Sequence, residues 1–590
     1  MRVAVLIKQV PRFEEMSLGA DGRLRREGLE LEMNPYCRRA VAKGVELARA
    51  AQGRCTVFTL GPPAAEEVLR EAVAWGADDA VLITDPAFAG SDTLATSRAL
   101  AQALRREGPF DLILAGRNSV DADTGQVAAE IAELLDLPML AGVRILDLHH
   151  GAVHAHCEQD DGWLDAEVRL PAVITTAERL CPPCKVGPEG RAAVRPEHIR
   201  PMGPVDLGEG PWGQAGSPTT VGRVRVLEVQ RRCQVLGGDI AAQVRQAVDV
   251  LRRAGALDGT AATELAGSVP DSGAVTGTAI AVLTEPGRPR IARELLGAAA
   301  RLAADAAARV VGFSLEDVDP VEAGGWGADE VVALQGSAVE EDVAAAAAQW
   351  CSEHAPWAVL AASTMWGREV AGRLAARIGA GLTGDAVELE VADGRLVCWK
   401  PAFGGQLVAA ITASSPVQMA TVRPGVLPLL QPRRAEAAVE TRTVAPRGRL
   451  HVVERGRDDE LDVLATARTV VAVGTGVLPE EYALLQPLRD ALGAELAATR
   501  KVADRGWLPH SRQVGITGRA IAPCLYVAVG VAGKFNHIIG FRAAHFALAI
   551  NSDPLAPIFE AVDLGIVGDW HEVVPLLVRE LTPAESAARS

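Results

Sequence analysis

The chain has 590 residues, of which 49% are hydrophobic and 23% charged, and its formal net charge is −16 at pH 7. This apolar content excludes a mainly disordered chain, and the acidic balance disfavours general binding to nucleic acid or anionic membranes. No apolar run approaches the roughly 20 residues of a membrane span, and the N-terminus lacks the apolar core and cleavage site of a signal peptide. Nine scattered cysteines fit reduced thiols, so we expect a cytoplasmic protein.

Strand-like apolar runs alternate with helical patterns up to about residue 150. This alternation predicts a parallel sheet covered by helices on both faces. The predicted strands are Val3–Ile7, Thr56–Leu60, Ala80–Ile83 and Leu112–Ala115. The predicted helices are Asn34–Ala51, Ala64–Trp75, Asp92–Arg106 and Thr124–Leu135.

The same alternation begins again near Thr278. Its predicted elements are the strand Ala279–Leu283, the helix Arg293–Ala307 and the strand Arg309–Phe313. Two sequence blocks recur in the same order, with Trp75–Val81 corresponding to Trp326–Val332 and Leu112–Gly116 to Ala358–Ala362. Both pairs lie about 250 positions apart, which favours two related domains over a chance match.

Two seams interrupt these blocks. Residues 205–276 are rich in Gly, Pro and Ser, with a strand-like run at Val221–Leu227 and an amphipathic helix at Asp239–Ala254. The second seam, at 425–465, contains several prolines and a charged run, and a strand at Thr469–Val473 follows it. We therefore predict an α/β fold with two related doubly wound parallel-sheet domains, at 1–204 and 277–455, an arm and linker at 205–276, and a smaller terminal α/β domain at 456–590.

Common catalytic motifs of hydrolases and kinases do not occur in the sequence. Gly474-Thr-Gly476 is followed by Pro479 and not by the third glycine of a dinucleotide fingerprint, so a plain strand-to-helix turn is favoured. Cys181-Pro-Pro-Cys184 is a single C-x-x-C without a second ligand pair. It leaves open a proline-stiffened loop, a redox pair or part of a metal site.

Residues 499–569 carry the densest set of candidate binding residues. Glycine-rich turns after strands can direct backbone N–H groups at a pyrophosphate. Asn and Asp side chains beyond strand ends suit ribose and adenine edges, and Arg or His suits a ring that becomes anionic. The segments concerned are Thr499-Arg500, Gln513–Gly518, Ala528–His537, Ala549–Pro554 and Gly568-Asp569.

Further motifs lie along the whole chain. On the N-terminal side they are Lys8–Pro11, Asn34-Pro35, Gly61-Pro62, Gly116–Val127, Leu170–Val173 and Thr176–Leu180, and on the C-terminal side Gly367–Glu369, Leu382–Asp385, Lys400–Gly405 and Val422–Pro424. In this order and spacing they resemble the electron transfer flavoproteins, with a β subunit fused ahead of an α subunit. The resemblance implies a soluble one-electron carrier with FAD in its C-terminal domain.

The resemblance also assigns the FAD contacts. Arg500, which would set the redox potential, Thr517, His537, Asn551 and Asp569 fall on the family's FAD-contacting positions, together with Thr499, Gln513, Gly518, Gly530 and Gly533. Thr499, Ile516 and Ala532 stand where the family usually has Ser, Gln and Ser.

A second nucleotide is implied in the N-terminal half. The residues predicted to hold it are Asn34, Gly61, Thr93, Thr96, Asp121, Asp123 and Gln126. In the common carriers this nucleotide is a structural AMP, and in bifurcating relatives it is a second FAD at which NADH delivers electrons. AMP, FAD and an empty site all remain open.

The implied partners are a flavin dehydrogenase as electron donor and a quinone oxidoreductase-like acceptor. Leu180 matches the leucine that docks into a dehydrogenase, whereas the residues after it, starting with Cys181, depart from the family pattern, so the acyl-CoA dehydrogenase of fatty acid oxidation or another flavin dehydrogenase fits. The fused chain would be a monomeric pseudo-heterodimer. The alternatives are an NADH-oxidising, electron-bifurcating enzyme with two FAD and a non-catalytic adenine-nucleotide-binding protein.

Overall fold

The computed structural model describes residues 1–11, 30–160, 162–226, 231–257, 267–271, 277–402, 407–457, 463–464, 467–515, 518–519 and 521–582. The chain forms two compact units. Unit 1 comprises Met1–Val226 and Ser268–Arg457, and unit 2 comprises Leu227–Gly267 and Asp458–Ser590. The predicted arm and linker is thus divided between the two units, while the other predicted domain boundaries stay predictions. Among the described residues, no helix has the length and apolar character needed to cross a membrane.

The first half of unit 1 contains the predicted alternation of strands and helices. Its strands are β1 (Arg2–Leu6), β2 (Gln9–Pro11), β3 (Leu31–Met33), β4 (Arg54–Leu60), β5 (Asp79–Ile83), β6 (Leu112–Gly116), β7 (Met139–His149), β8 (Ala152–Glu158), β9 (Gly162–Arg169), β10 (Ala172–Thr176), β11 (Ile199–Met202) and β12 (Thr219–Val226). Its helices are α1 (Cys37–Ala50), α2 (Glu66–Trp75), α3 (Thr93–Glu107), α4 (Val127–Leu134), α5 (Pro188–Ala192), α6 (Pro204–Leu207) and α7 (Gly213–Gly216).

The predicted helix starts differ from the observed ones for local reasons. Helix α1 begins at Cys37 and not at Asn34, because Asn34 precedes Pro35 and a residue before proline disfavours the helical conformation. Helix α4 begins at Val127 and not at Thr124, because Asp123 and Gly125 adopt left-handed backbone angles, with φ of 46° and 64°.

The second half of unit 1 repeats this organisation. Its strands are β14 (Ala279–Leu283), β15 (Arg309–Ser314), β16 (Glu330–Gly336), β17 (Ala358–Ala362), β18 (Gly381–Ala386), β19 (Glu388–Ala392), β20 (Arg395–Ala402), β21 (Leu407–Ala413), β22 (Gln418–Val422), β23 (Ala438–Val444) and β24 (Leu450–Arg457). Its helices are α9 (Pro289–Ala306), α10 (Pro320–Trp326), α11 (Glu340–His354) and α12 (Met365–Ile378). Helix α9 starts earlier than predicted, since Pro289 suits the first turn of a helix.

The two halves of unit 1 share one strand order. The first sheet contains the run β11-β5-β4-β1-β6-β10-β7, and the second sheet is β23-β16-β15-β14-β17-β22-β18, so each strand has a counterpart in the same place. The recurring sequence block forms the same turn twice. The Asp78 carboxylate accepts from Cys55 N at 2.8 Å, and that of Asp329 accepts from Val310 N at 2.8 Å. The predicted duplication is confirmed.

The halves also exchange a strand in each direction. Strand β12, which follows the first half, pairs antiparallel with β21 of the second half. Strand β24, which follows the second half, pairs antiparallel with β9 of the first half. Each half therefore completes a sheet of the other, which makes unit 1 a single packed body.

Unit 2 is a smaller parallel α/β unit. Its strands are β13 (Gln234–Val235), β25 (Thr469–Val473), β26 (Glu495–Ala498), β27 (Leu525–Val529), β28 (Phe546–Asn551) and β29 (Leu564–Val567). Its helices are α8 (Ile240–Arg253), α13 (Gln486–Leu492), α14 (Arg500–Asp504), α15 (Phe535–Phe541) and α16 (Trp570–Leu581). The amphipathic helix predicted in the arm is α8, and its apolar face packs into the core of this unit.

Candidate functional site

The carboxyl edge of the unit 2 sheet gathers four of the ten residues predicted to bind FAD. The strand order is β13-β29-β28-β27-β25-β26 and every pairing is parallel, so the chain changes direction across the sheet between β25 and β27. Open parallel sheets bind nucleotides at such a switch point. The predicted residues that stand at or just beyond the carboxyl ends of these strands are Thr499, Gly530, Asn551 and Asp569.

Glycines at this edge stand where a side chain would collide with neighbouring backbone. A Cβ on Gly474 would lie 2.1 Å from the carbonyl oxygen of Gly530, and one on Gly533 would lie 2.1 Å from the backbone nitrogen of Ile558. Gly533 also has a φ of 83°, which disfavours any side chain. The glycines therefore let the loops that follow β25, β27 and β28 pack backbone to backbone, and this cradle shapes the edge at which open parallel sheets bind nucleotides.

Arg500, predicted to act on the flavin ring, lies in the first turn of α14. Its Nε lies 3.3 Å from an oxygen of Asp504, and both side chains are about half exposed, at 45% and 52%. The backbone N–H of Thr499 donates to Val473 at 3.0 Å, which holds the start of this helix against β25. Asp504 was missed by the sequence interpretation, although its i,i+4 spacing from Arg500 is a readable signal.

Gln513 and Gly518 approach each other closely. Gln513 is buried, and its side-chain oxygen lies 3.0 Å from Nδ1 of His510. A Cβ on Gly518 would lie 2.4 Å from the carbonyl oxygen of Gln513, so this close approach needs a glycine. Thr517 lies outside the described residues.

His537 is buried within unit 2. Its Nδ1 lies 2.9 Å from the carbonyl oxygen of Val514, and its Nε2 lies 2.7 Å from the hydroxyl of Tyr526. Burial lowers the pKa of His537 to about 4. The ring is therefore neutral at physiological pH, and both its nitrogens are engaged by the protein. The sequence interpretation did not include Tyr526.

Asn551 and Asp569 organise the far end of the same edge. The amide of Asn551 donates to Val531 O at 2.9 Å, which ties down the segment before α15. The Asp569 carboxylate caps α16 and lies 2.8 Å from Nδ1 of His571, whose Nε2 lies 2.9 Å from Glu481. The two carboxylates raise the pKa of His571. His571 and Glu481 were also missed from the sequence.

Unit 1 has its own switch point, between β1 and β6. Lys8, just beyond β1, lies 2.8 Å from Asp121, in the loop after β6, so this ion pair bridges the place where the strand order reverses. Burial alone would raise the pKa of Asp121, but the Lys8 ammonium outweighs it and lowers that pKa. The predicted second-nucleotide residues Asp121, Asp123 and Gln126 all follow β6.

The other residues predicted there surround this loop. Asn34 is buried and donates to Asn118 O at 2.8 Å, so it holds the loop in place. Gly61 follows β4, and Thr96 lies in the first turn of α3. The Thr93 hydroxyl lies 3.0 Å from Oε1 of Gln126.

Cations from the second half of unit 1 reach the same loop, which the sequence interpretation did not recognise. Arg368 lies 3.6 Å from Asp123 and 3.8 Å from Asp385. Lys400 donates to Gly384 O at 2.6 Å, and burial lowers the pKa of Lys400 to about 8. The motifs at 367–369, 382–385 and 400–405 were the available signal. These motifs contain the residues of the second half that reach the candidate site of the first half.

Leu180, predicted to dock a partner, is half-buried in the loop after β10 and packs on the core of the first half. Its neighbour Cys181 is half-buried, Cys184 is buried, and burial raises the pKa of Cys184 to about 12. Such a thiol is a poor nucleophile. Within the described ranges, no cluster of three or more His, Cys, Asp or Glu residues is arranged to hold a metal ion.

Comparison with known families accounts for this layout. The family profile described as the electron transfer flavoprotein domain matches residues 21–199 and again residues 285–447. The profile of the electron transfer flavoprotein FAD-binding domain matches residues 463–542. The chain belongs to the electron transfer flavoprotein family, and its order of domains fits a β-like half fused ahead of an α-like half.

Individual relatives support the same family. Protein FixB of Clostridium saccharobutylicum is 33% identical over 315 residues, covering 50% of this chain and 93% of the relative. The electron transfer flavoprotein subunit alpha of Syntrophomonas wolfei is 34% identical over 321 residues, covering 52% of this chain and 99% of the relative. Protein FixB of Bradyrhizobium diazoefficiens is 36% identical over 298 residues, covering 48% and 80%. Each relative therefore matches about half of this longer chain.

Proposed function

We propose that this chain is a single-chain electron carrier that accepts electrons from a flavin dehydrogenase and passes them to an acceptor such as a quinone oxidoreductase. The observation that carries the proposal is the alignment of predicted FAD residues along one carboxyl edge of unit 2, beside a glycine cradle that admits no side chain. FAD, when bound there, supplies the redox chemistry. The protein contributes position, charge and docking.

Different residues of the chain would bind the pyrophosphate, hold the adenosine end and act on the flavin ring. The backbone at Gly474, Gly530 and Gly533 would receive the pyrophosphate, and Asn551 and Asp569 would hold the adenosine end. Arg500 would favour the negative charge that reduction brings to the flavin ring. His537 would hold the cradle in shape as a neutral group, because its two nitrogens are already bound within unit 2.

Unit 1 would hold one further adenine nucleotide, AMP in a carrier of this kind. Two buried polar atoms support a ligand here, since Oδ1 of Asn118 and Nε2 of Gln126 find no hydrogen-bond partner among the described residues. Unsatisfied buried groups are costly, and a bound ligand satisfies them. Lys400, Arg368 and Arg423 would balance the charge of a phosphate.

Docking of the electron donor would use Leu180 and the loop that follows it.

Joining the two halves in one chain makes the family's subunit contacts intramolecular and independent of concentration. The strand exchange, in which β12 pairs with β21 and β24 pairs with β9, supports the joining of the two halves, because neither half completes its sheets alone.

The test is anaerobic reduction and reoxidation of the purified chain. A carrier is reduced by a flavin dehydrogenase with its substrate, and not by NADH, and returns its electrons to a quinone or dye acceptor. Reduction by NADH together with two FAD per chain would replace the carrier with a bifurcating enzyme. A chain that neither contains nor takes up FAD would refute the proposal.

A further inference from the structure

Four polar side chains, those of Thr93, Ser97, Gln126 and Glu130, join helices α3 and α4 next to the loop of the proposed nucleotide site in unit 1. Glu130 and Gln126, both fully buried, each place an oxygen 3.0 Å from the hydroxyl of Thr93. The second oxygen of Glu130 accepts from the Ser97 hydroxyl at 2.6 Å. A single hydroxyl of Thr93 therefore faces two acceptors.

A threonine hydroxyl has only one hydrogen to donate. If Glu130 is ionised, Thr93 donates to its carboxylate, and Gln126 must then present its NH₂ group to the hydroxyl oxygen. If Glu130 carries a proton, that proton is donated to Thr93, and Thr93 donates to Oε1 of Gln126. With Oε1 of Gln126 on the hydroxyl, as found, the hydrogen bonds of Thr93 to both Gln126 and Glu130 can form together only in the second case.

The other end of the Gln126 amide points away from this relay. A Cβ on Gly384 would lie 2.7 Å from Nε2 of Gln126, so Nε2 packs closely against the bare backbone of Gly384. Among the described residues Nε2 has no partner. Gln126 also stands at the N-cap of α4, where the helix dipole favours a negative charge.

We infer that Glu130 is a positioning residue that sets, through Thr93, whether Gln126 offers a donor or an acceptor to the nucleotide phosphate. The inference rests on the proposed nucleotide site in unit 1. With Glu130 neutral, Gln126 offers N–H to a phosphate oxygen. With Glu130 ionised, the amide turns and offers its oxygen, which repels the same phosphate.

The surroundings of Glu130 allow this exchange near neutral pH. Burial raises the pKa of Glu130 to about 7. The charged groups that act on it are Asp92, which raises this pKa, and Arg98, which lowers it, and the hydroxyls of Ser97 and Thr93 lower it further. Asp92 is itself held at the N-cap of α3 by Ala95 N and Thr219.

The test is AMP binding to the full chain, freed of nucleotide, by calorimetry between pH 5.5 and 8.5. AMP is the part that both candidate nucleotides share. Glu130→Gln retains a donor toward Thr93 at every pH, so it fixes the low-pH arrangement. We expect the affinity of the unchanged chain, relative to Glu130→Gln, to fall about tenfold from the lowest to the highest pH, as one hydrogen bond to a charged group supports. The phosphate's own titration cancels in this ratio.

A second pair of variants keeps the test independent of how Glu130→Gln folds. Thr93→Ser retains the hydroxyl and is expected to keep the pH profile, whereas Thr93→Val removes it and is expected to abolish the Glu130 contribution. Parallel profiles for the unchanged chain, Glu130→Gln and Thr93→Val would overturn the role of Glu130 and leave the nucleotide site standing. Absence of AMP binding at every pH would overturn both.

Discussion

The hydroxyl of Tyr526 lies 2.7 Å from Nε2 of His537, and Nδ1 of the same ring lies 2.9 Å from the carbonyl oxygen of Val514. Because a carbonyl only accepts, Nδ1 carries the hydrogen and Nε2 accepts from Tyr526. His537 is thereby fixed as a neutral tautomer. The ring joins α15, β27 and the Val514 segment, and it carries no positive charge at neutral pH.

This pair makes the stability of the protein depend on pH. The pKa of His537 is about 4 when folded and about 6.5 when unfolded, so only the unfolded chain takes up a proton between these values. Stability is therefore lost as pH falls from 6.5 to 4, by about 3 kcal/mol from this group. We expect His537→Gln to remove this part of the pH dependence in urea unfolding of the full chain.

Other groups also titrate in that range, so the matched control is His545→Gln, an exposed histidine of unit 2. It is expected to follow the unchanged chain. Tyr526→Phe leaves Nε2 without a donor and is expected to cost about 1 to 3 kcal/mol at pH 7. An unchanged pH profile in His537→Gln would contradict the neutral, buried ring.

Arg500 is expected to tune the flavin potential, with Asp504 offsetting its charge. Arg500→Gln removes a cation and should lower the potential, whereas Asp504→Asn should raise it. For a half-exposed charge worth about 1 kcal/mol, the shift is about 40 mV in a one-electron potential. Spectroelectrochemical titration of the FAD-loaded chain measures it. Lys501→Gln is the control, and shifts of the same size in all three variants would refute a specific role for Arg500.

Gly533 is expected to be essential for holding FAD. A Cβ there meets the backbone of Ile558, so Gly533→Ala must displace the cradle, and we expect flavin content to fall at least tenfold while unit 1 remains folded. Gly493→Ala is the matched control, since Gly493 also has a positive φ, 57°, but open space around it. That variant should lose about 1 kcal/mol of stability and keep its flavin. Equal flavin content in both variants would argue against the cradle.

Arg373 is expected to hold the two halves of unit 1 together. Its guanidinium, 1% exposed, bonds Glu369 at 3.0 Å on its own helix and lies 3.6 Å from Glu133 on α4 of the other half. Glu133 keeps its pair with Arg377 at 2.5 Å in Arg373→Met, but Glu369 loses its cation. The variant should cost about 3 kcal/mol in urea unfolding, and adding Glu369→Leu should restore part of it. Arg442→Met, which breaks a more exposed pair, should cost less than about 1 kcal/mol. Similar losses in both single variants would contradict the proposed role.

Local patterns predicted much of this fold. The strands Ala279–Leu283 and Thr469–Val473 have the predicted bounds, because short apolar runs between turn signals become buried parallel strands. The duplication was visible because Trp75-Gly76 and Trp326-Gly327 end equivalent helices. The exchange of β12 and β24 was not predictable, since strand pairing between segments far apart in sequence leaves no local pattern.

The same distinction between local patterns and long-range contacts applies to the candidate sites. Gly530, Asn551 and Asp569 could be located because each closely follows or ends a strand, and strand ends of a parallel sheet meet at one edge. Side-chain partners could not, because the contact of His537 with Tyr526 and that of Arg368 with Asp123 depend on packing in three dimensions. The placement of candidate residues along a sheet edge is therefore more predictable from sequence than the charges around them.

The most direct measurement is the nucleotide content of the purified full chain, by flavin absorbance and acid extraction. We expect one FAD and one AMP per chain, with FAD lost and AMP retained in Gly533→Ala. Two FAD per chain would contradict the assignment of AMP to unit 1. A colourless protein that takes up no added FAD would contradict a flavin site at the carboxyl edge of unit 2.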